Sequence, residues 1–212
     1  MNKKFLGLIL VAIGVVVATC GIIMINKSKQ ELAQENQANN KGESMQDSKN
    51  LVIYFSQSGN TEKFANIIHE QVGGDIKKIE TVKAYPEVYD DLANVAKTEK
   101  DENARPEYKN LNIDLENYDN IFVGYPMWWY TLPMVMYKFF EDYDFSGKTI
   151  IPFNTHEGSY DGGTWDTIKS WEPNAKVLDG LAIRGGDIGD GPNARPTDQT
   201  ENVKNWLNEI GF

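Results

Sequence analysis

Three hydroxyl side chains, Ser56, Ser58 and Thr61, stand within six residues, with Gln57, Gly59 and Asn60 between them. The run carries no cation. A chain that turns here at a glycine brings several backbone N–H groups together, and at a helix start these add to the positive end of the helix dipole. Amides and hydroxyls so arranged suit a phosphate. The competing use is capping, in which Ser58 or Thr61 serves only to satisfy the first turn of a helix. The run fits neither Gly-x-x-x-x-Gly-Lys-Ser/Thr nor Gly-x-Gly-x-x-Gly. A mononucleotide phosphate held by amides and hydroxyls is the better fit.

Two further segments have unusual chemistry. Residues 124–133 include Pro126, Met127, Trp128, Trp129 and Tyr130 between two prolines, and flat, rigid aromatic surface suits a stacked planar ring. One tryptophan is expected to wedge under the following helix, leaving the other at the ring. Residues 154–163 include Thr155, His156, Glu157, Gly158 and Ser159, small and polar groups able to set amides and hydroxyls against ring heteroatoms. His156 is read as a loop residue making a backbone contact rather than as a catalyst. His69, near a helix end, reads as a surface or dipole residue. Neither has a second His or Cys at metal-ligand spacing, so no metal site is predicted.

The elements that position these groups follow from periodicity. Leu51, Val52, Ile53, Tyr54 and Phe55 form a continuous apolar run, as in a strand buried on both faces. From Asn60 the pattern turns helical, with Phe64, Ala65, Ile67, Ile68 and Val72 on one stripe and Gly73-Gly74 as the stop. A second strand is predicted over 75–80 and a helix opening at Pro86 with Tyr89, Leu92, Ala93 and Ala96 along it. Then come a strand at 121–124, a helix at 133–140, a strand at 148–153 and a helix at 164–171. A fifth strand lies within 177–183, and a closing helix at 198–210 turns Val203, Trp206, Leu207 and Ile210 inward. Alternating strands and helices imply an α/β fold, a parallel sheet with helices on both faces. Ligands of such sheets sit beyond the carboxyl ends of the strands, where all three loops lie.

With 212 residues the chain has room for one domain and an appendage. Lys3 and Lys4 precede an apolar stretch over 5–25, long enough to span a bilayer as a helix of about 20 residues. Segment 1–27 therefore reads as a transmembrane anchor or signal, 28–49 as a flexible polar tether, and 50–212 as the folded domain. The sequence Val17-Ala18-Thr19-Cys20-Gly21 resembles a bacterial lipoprotein cleavage box, with Thr19 as a departure; the other reading of Cys20 is a small apolar residue within a spanning helix. The layout places the domain on the extracytoplasmic face of a bacterial cell membrane. Cys20 is the only cysteine, so the domain holds no internal disulfide. Residues 1–50 hold six Lys and four Asp or Glu, so of 21 basic and 31 acidic residues 15 and 27 fall beyond, a net charge of −12. That surface repels nucleic acid and suits partners with basic docking patches.

The segments Ser56 to Thr61, Tyr125-Pro126-Met127-Trp128-Trp129, Phe145-Ser146-Gly147-Lys148-Thr149-Ile150, Thr155-His156-Glu157-Gly158-Ser159 and Trp206-Leu207, in this order and spacing, resemble the flavodoxin family across 51–212. The resemblance implies non-covalent FMN, a doubly wound five-stranded parallel sheet of order 2-1-3-4-5, and electron transfer through the flavin. It further implies that Ser56, Gln57, Ser58, Gly59, Asn60 and Thr61 hold the ribityl phosphate. Pro126, Met127, Trp128, Trp129 and Tyr130 would flank the isoalloxazine, and Thr155, His156, Glu157, Gly158 and Ser159 would edge it. Tyr130 and Tyr160-Asp161 depart from the family pattern with larger groups that narrow access to the ring.

Three roles follow from that resemblance. The first is a membrane-tethered electron carrier that docks redox partner proteins through basic surfaces on them and needs no catalytic acid or base. The second is an FMN-dependent reductase taking hydride from NAD(P)H and reducing a quinone-type acceptor, with His156 or Tyr160 supplying a proton or hydrogen bond. The third is a flavin-free interaction domain, against which the intact hydroxyl-rich loop argues.

Overall fold

The computed structural model describes residues 49–184 and 199–212. The apolar stretch, the tether as far as residue 48 and the expected start of the last helix at Asp198 lie outside the described residues. Among the described residues no helix is long and apolar enough to cross a membrane.

The strands are β1 (Asn50–Phe55), β2 (Asp75–Ile79), β3 (Asn120–Pro126), β4 (Thr149–His156), β5 (Lys176–Val177) and β6 (Leu181–Arg184); the helices are α1 (Asn60–Val72), α2 (Tyr89–Asp101), α3 (Met134–Asp142), α4 (Thr164–Trp171) and α5 (Thr200–Ile210). All pairings are parallel and the order is β2-β1-β3-β4-β5, with β6 also beside β4. This is the doubly wound order expected from the resemblance.

β1 is buried along its whole length, and its alternate side chains enter two separate cores. Leu51, Ile53 and Phe55 join Val135, Met136, Phe139 and Ile168 from α3 and α4. Val52 and Tyr54 join Phe64, Ala65 and Ile68 of α1 and Val203, Trp206 and Leu207 of α5. A period of two on the strand thus feeds helices on both faces.

Two strands run further than their apolar runs suggest. β3 continues through Tyr125 and Pro126, and β4 through Asn154, Thr155 and His156, with Tyr125 opposite Asn154 and Pro126 opposite Thr155. Pro126, Thr155 and His156 were expected in loops; they are strand-end residues. Tyr125 and Asn154 are fully buried: the Tyr125 hydroxyl pairs with Thr164 Oγ1 at 2.8 Å, and Asn154 Nδ2 donates to Tyr160 O at 2.9 Å, while Asn154 Oδ1 has no partner among the described residues.

The fifth position of the sheet is occupied by two segments, β5 and β6, separated by residues 178–180. Leu178 N donates to Ile150 O at 2.9 Å; two residues along β4 the same edge presents Pro152, which has no N–H to offer. The ladder lapses there. Gly180 lets the chain pass close to β4, where a Cβ would lie 2.6 Å from Pro152 O.

Candidate functional site

α1 begins without a side-chain cap. Its N-cap is Gly59, at φ +88°, and neither Ser58 nor Thr61 accepts a capping hydrogen bond. The first helical bond runs from Lys63 N to Gly59 O at 3.0 Å, so the amides of Asn60, Thr61 and Glu62 precede the ladder. Thr61 instead turns inward, its hydroxyl 2.9 Å from that of Thr155. Ser56, at the end of β1, is 6% exposed and its Oγ has no hydrogen-bond partner among the described residues. Capping therefore does not account for these hydroxyls, and a buried unpaired one costs about 1–3 kcal/mol.

Glu62 brings a carboxylate to the first turn of α1, and that carboxylate is engaged by two donors. It accepts from Tyr54 Oη at 3.1 Å and from Lys78 Nζ at 2.8 Å. The Lys78 bond holds the Glu62 carboxyl below its ordinary range, while burial and then the Glu62 contact push the Tyr54 phenol up to about 12. The amide end of α1 thus keeps its positive character.

The strand ends enclose a cleft of about 680 Å³. Ser56, Gln57, Ser58, Asn60 and Thr61 line one side, Pro126, Met127, Trp128, Trp129 and Tyr130 a second, and Thr155, His156, Glu157, Gly158 and Ser159 a third. Gly59, the remaining residue singled out from sequence, forms the turn behind this lining. The sequence reading missed a fourth wall, where α2 contributes Tyr89, Leu92, Ala93 and Ala96. These four were read as one helical stripe; that the stripe faces the cleft is set by tertiary packing, for which local sequence carries no signal.

The two tryptophans have separate roles. Trp128 packs edge-on against Phe55 at 5.4 Å and Tyr85 at 5.1 Å between centroids, so it is the inward one of the pair, seated on the β1 side. Tyr85 Oη donates to Glu99 Oε2 at 2.7 Å, and burial pushes both the Tyr85 phenol and the Glu99 carboxyl up. Trp129 is 42% exposed and donates from Nε1 to Ala93 O at 2.9 Å. Trp129 and Tyr130 both have positive φ, +51° and +64°, inside a turn closed by Trp128 N to Thr131 O at 3.0 Å and Thr131 N to Trp128 O at 3.1 Å. That is the pattern of a type I′ hairpin turn, a position where Asn-Gly is favoured.

On the third wall, His156 is buried, and its Nδ1 accepts from Gly158 N at 2.9 Å. This fixes the neutral ring with its proton on Nε2 and curls residues 157–159 round the strand end. The imidazole tilts against Tyr160 at 5.1 Å, and Glu157 meets Arg184 Nε at 3.8 Å. His69 is half-buried in the last turn of α1, with Nε2 3.0 Å from Gly74 O.

The sequence matches the family model described as Flavodoxin over residues 49–210. Flavodoxin 1 of Salmonella typhimurium and of Escherichia coli K12 are each 28% identical over 106 residues, 48% of this chain and 46% of theirs; the chain thus spans about half the length of the curated relatives it matches. Among solved structures, a protein classed as a flavoprotein from Bacteroides eggerthii superposes with a TM-score of 0.66 at 28% identity, over 78% of this chain and 99% of that one. A flavoprotein from Lactobacillus acidophilus in complex with FMN has a TM-score of 0.57 at 23% identity, over 64% and 93%, a likeness of fold. The parallel order, the loops at the strand ends and the match over nearly the whole described domain agree: the chain belongs to the flavodoxin family.

Proposed function

We propose that the chain binds FMN non-covalently in the cleft and passes electrons through it, as a carrier held at a membrane by its N-terminal segment. The observation that carries the reading is the Ser56 to Thr61 turn. It has an uncapped helix start and a buried Ser56 Oγ with no partner among the described residues. Each is a cost or an omission in a free-standing domain, and each is answered by a phosphate. The residues present therefore fit the group.

FMN, when bound, supplies the redox chemistry. The chain's own residues bind, orient and shield. Ser56, Ser58 and the amides of 59–62 would hold the phosphate, and Trp128, braced by Phe55 and Tyr85, would give the ring a fixed apolar wall. Trp129 and Tyr130 would border it on the exposed side, and the amides of Glu157 and Ser159, on either side of the Gly158 N–H that His156 Nδ1 holds, would meet its polar edge. The net charge of −12 beyond residue 50 disfavours added negative charge on a reduced ring, which suits donation at low potential. It also favours partner proteins with basic docking surfaces. The apolar stretch over 5–25 supports an anchor with the domain on the extracytoplasmic face.

The test is an absorption spectrum and an FMN titration of the purified chain beside Ser58→Asp. A yellow protein, or a colourless one that takes up FMN, is expected, with binding weakened at least a hundredfold by the added carboxylate. Equal affinity of the two proteins overturns the phosphate assignment. Rapid bleaching by NADH or NADPH without a second protein overturns the carrier role in favour of a reductase.

A further inference from the structure

Both hydrogen-bonding ends of Trp129 are taken by one helix. Its indole Nε1 donates to Ala93 O, and its own carbonyl accepts from Lys100 Nζ, each at 2.9 Å. Ala93 and Lys100 are seven residues apart on α2, two turns on the same face. Between them Lys97 sets its ammonium 6.0 Å from the Trp129 ring centroid. The turn that carries Trp129 thus lies lengthwise on α2.

The turn needs such support. Trp129 and Tyr130 occupy left-handed positions without the glycine that would make them cheap, and each stores backbone strain. Tyr130, 74% exposed, recovers little of that by burial. The reciprocal Trp128–Thr131 bonds close the turn but would serve equally in a turn of ordinary residues. The contacts particular to this one run to α2, whose Leu92, Ala93 and Ala96 also line the cleft.

We propose that Lys100 is a positioning residue: by holding the Trp129 carbonyl it latches the strained Trp129–Tyr130 turn to α2 and so fixes the aromatic wall of the cleft. Without the latch the turn relaxes toward negative φ and carries both rings out of register with Trp128. The latch exists with or without a ligand. Only its effect on ring binding rests on the FMN reading.

The experiment compares full-length wild type with Lys100→Met, Lys100→Arg and Lys97→Met, each also in a Tyr130→Gly background. Two readouts are taken, near-ultraviolet circular dichroism of the flavin-free protein and the FMN dissociation constant. Lys100→Met is expected to reduce the tryptophan dichroism and weaken FMN about two- to tenfold, the worth of one net hydrogen bond. Lys100→Arg keeps a donor and stays within twofold. Lys97→Met removes the cation over the Trp129 ring but keeps the Lys100 bond, so it should move both readouts less than Lys100→Met does. With Gly at 130 only the Trp129 strain remains, and the effect of Lys100→Met should shrink. A loss of undiminished size in the Tyr130→Gly background, or one that Lys97→Met reproduces, means Lys100 acts only by charge and overturns the latch, as does unchanged dichroism in Lys100→Met. Failure of every protein to bind FMN would refute the cofactor reading while the dichroism still decides the latch.

Discussion

The hydroxyls of Thr61 and Thr155 lie 2.9 Å apart, buried, and join the first turn of α1 to the end of β4 across 94 residues of chain. One hydrogen bond therefore sets the distance between two walls of the cleft. Replacing Thr155 by Val keeps shape and strands the Thr61 hydroxyl. The expected loss is about 1–2 kcal/mol in urea unfolding, and the Thr61→Val, Thr155→Val double variant should cost less than the two single losses added. Strict additivity would show that the pair is not coupled.

Ser56 offers a test in which stability and binding move in opposite directions. Its Oγ is buried without a partner among the described residues, so Ser56→Ala should stabilise the flavin-free protein by about 1 kcal/mol, read as a higher melting temperature. The same change should weaken FMN about tenfold by removing a donor to the phosphate. A variant that is less stable and binds equally well would place the hydroxyl outside the phosphate site.

These residues also mark what the sequence discloses. The strand–turn–helix around Ser56 to Thr61 is local, with an apolar run, a glycine and a helical stripe in succession, and it is legible for that reason. The reach of β3 and β4 is not. Tyr125, Asn154 and His156 have loop-like polarity, and the partners they find within the strand ends, Thr164, Tyr160 O and Gly158 N, are set by the tertiary fold. The fourth wall is likewise silent, since nothing in the spacing of Leu92, Ala93 and Ala96 says which neighbour they face. The aromatic character of 125–130 was readable, whereas its left-handed turn was not, because Trp and Tyr are poor signals for positive φ.

Relief of that turn is a separate prediction. Tyr130→Gly places the residue suited to φ +64° where only an exposed ring is given up. The folded protein should gain about 1 kcal/mol after allowing for the added freedom of the unfolded chain. Chemical denaturation of the flavin-free protein checks it; a loss of stability would mean that the Tyr130 ring contributes packing that outweighs the strain.

Glu172, just past α4, gives a pH prediction. Burial first, and then the charge of Asp144, push its carboxyl from 4.5 up to about 7. The folded state thus holds this proton more tightly than the unfolded chain. Its contribution to stability is fully present below about 4.5 and is lost as pH rises through about 7. Glu172→Gln should raise the melting temperature relative to wild type at pH 8 and change it little at pH 4. An equal difference at both values would remove Glu172 from the pH dependence.

Among the described residues, the outer side of the sheet beyond β4 is built of segments of two and four residues only. Neither presents an unbroken row of donors and acceptors to another molecule. The proline that interrupts the ladder thereby guards against intermolecular strand addition, the first step toward fibrous aggregates. Crowding many copies together should thus leave this flank inert.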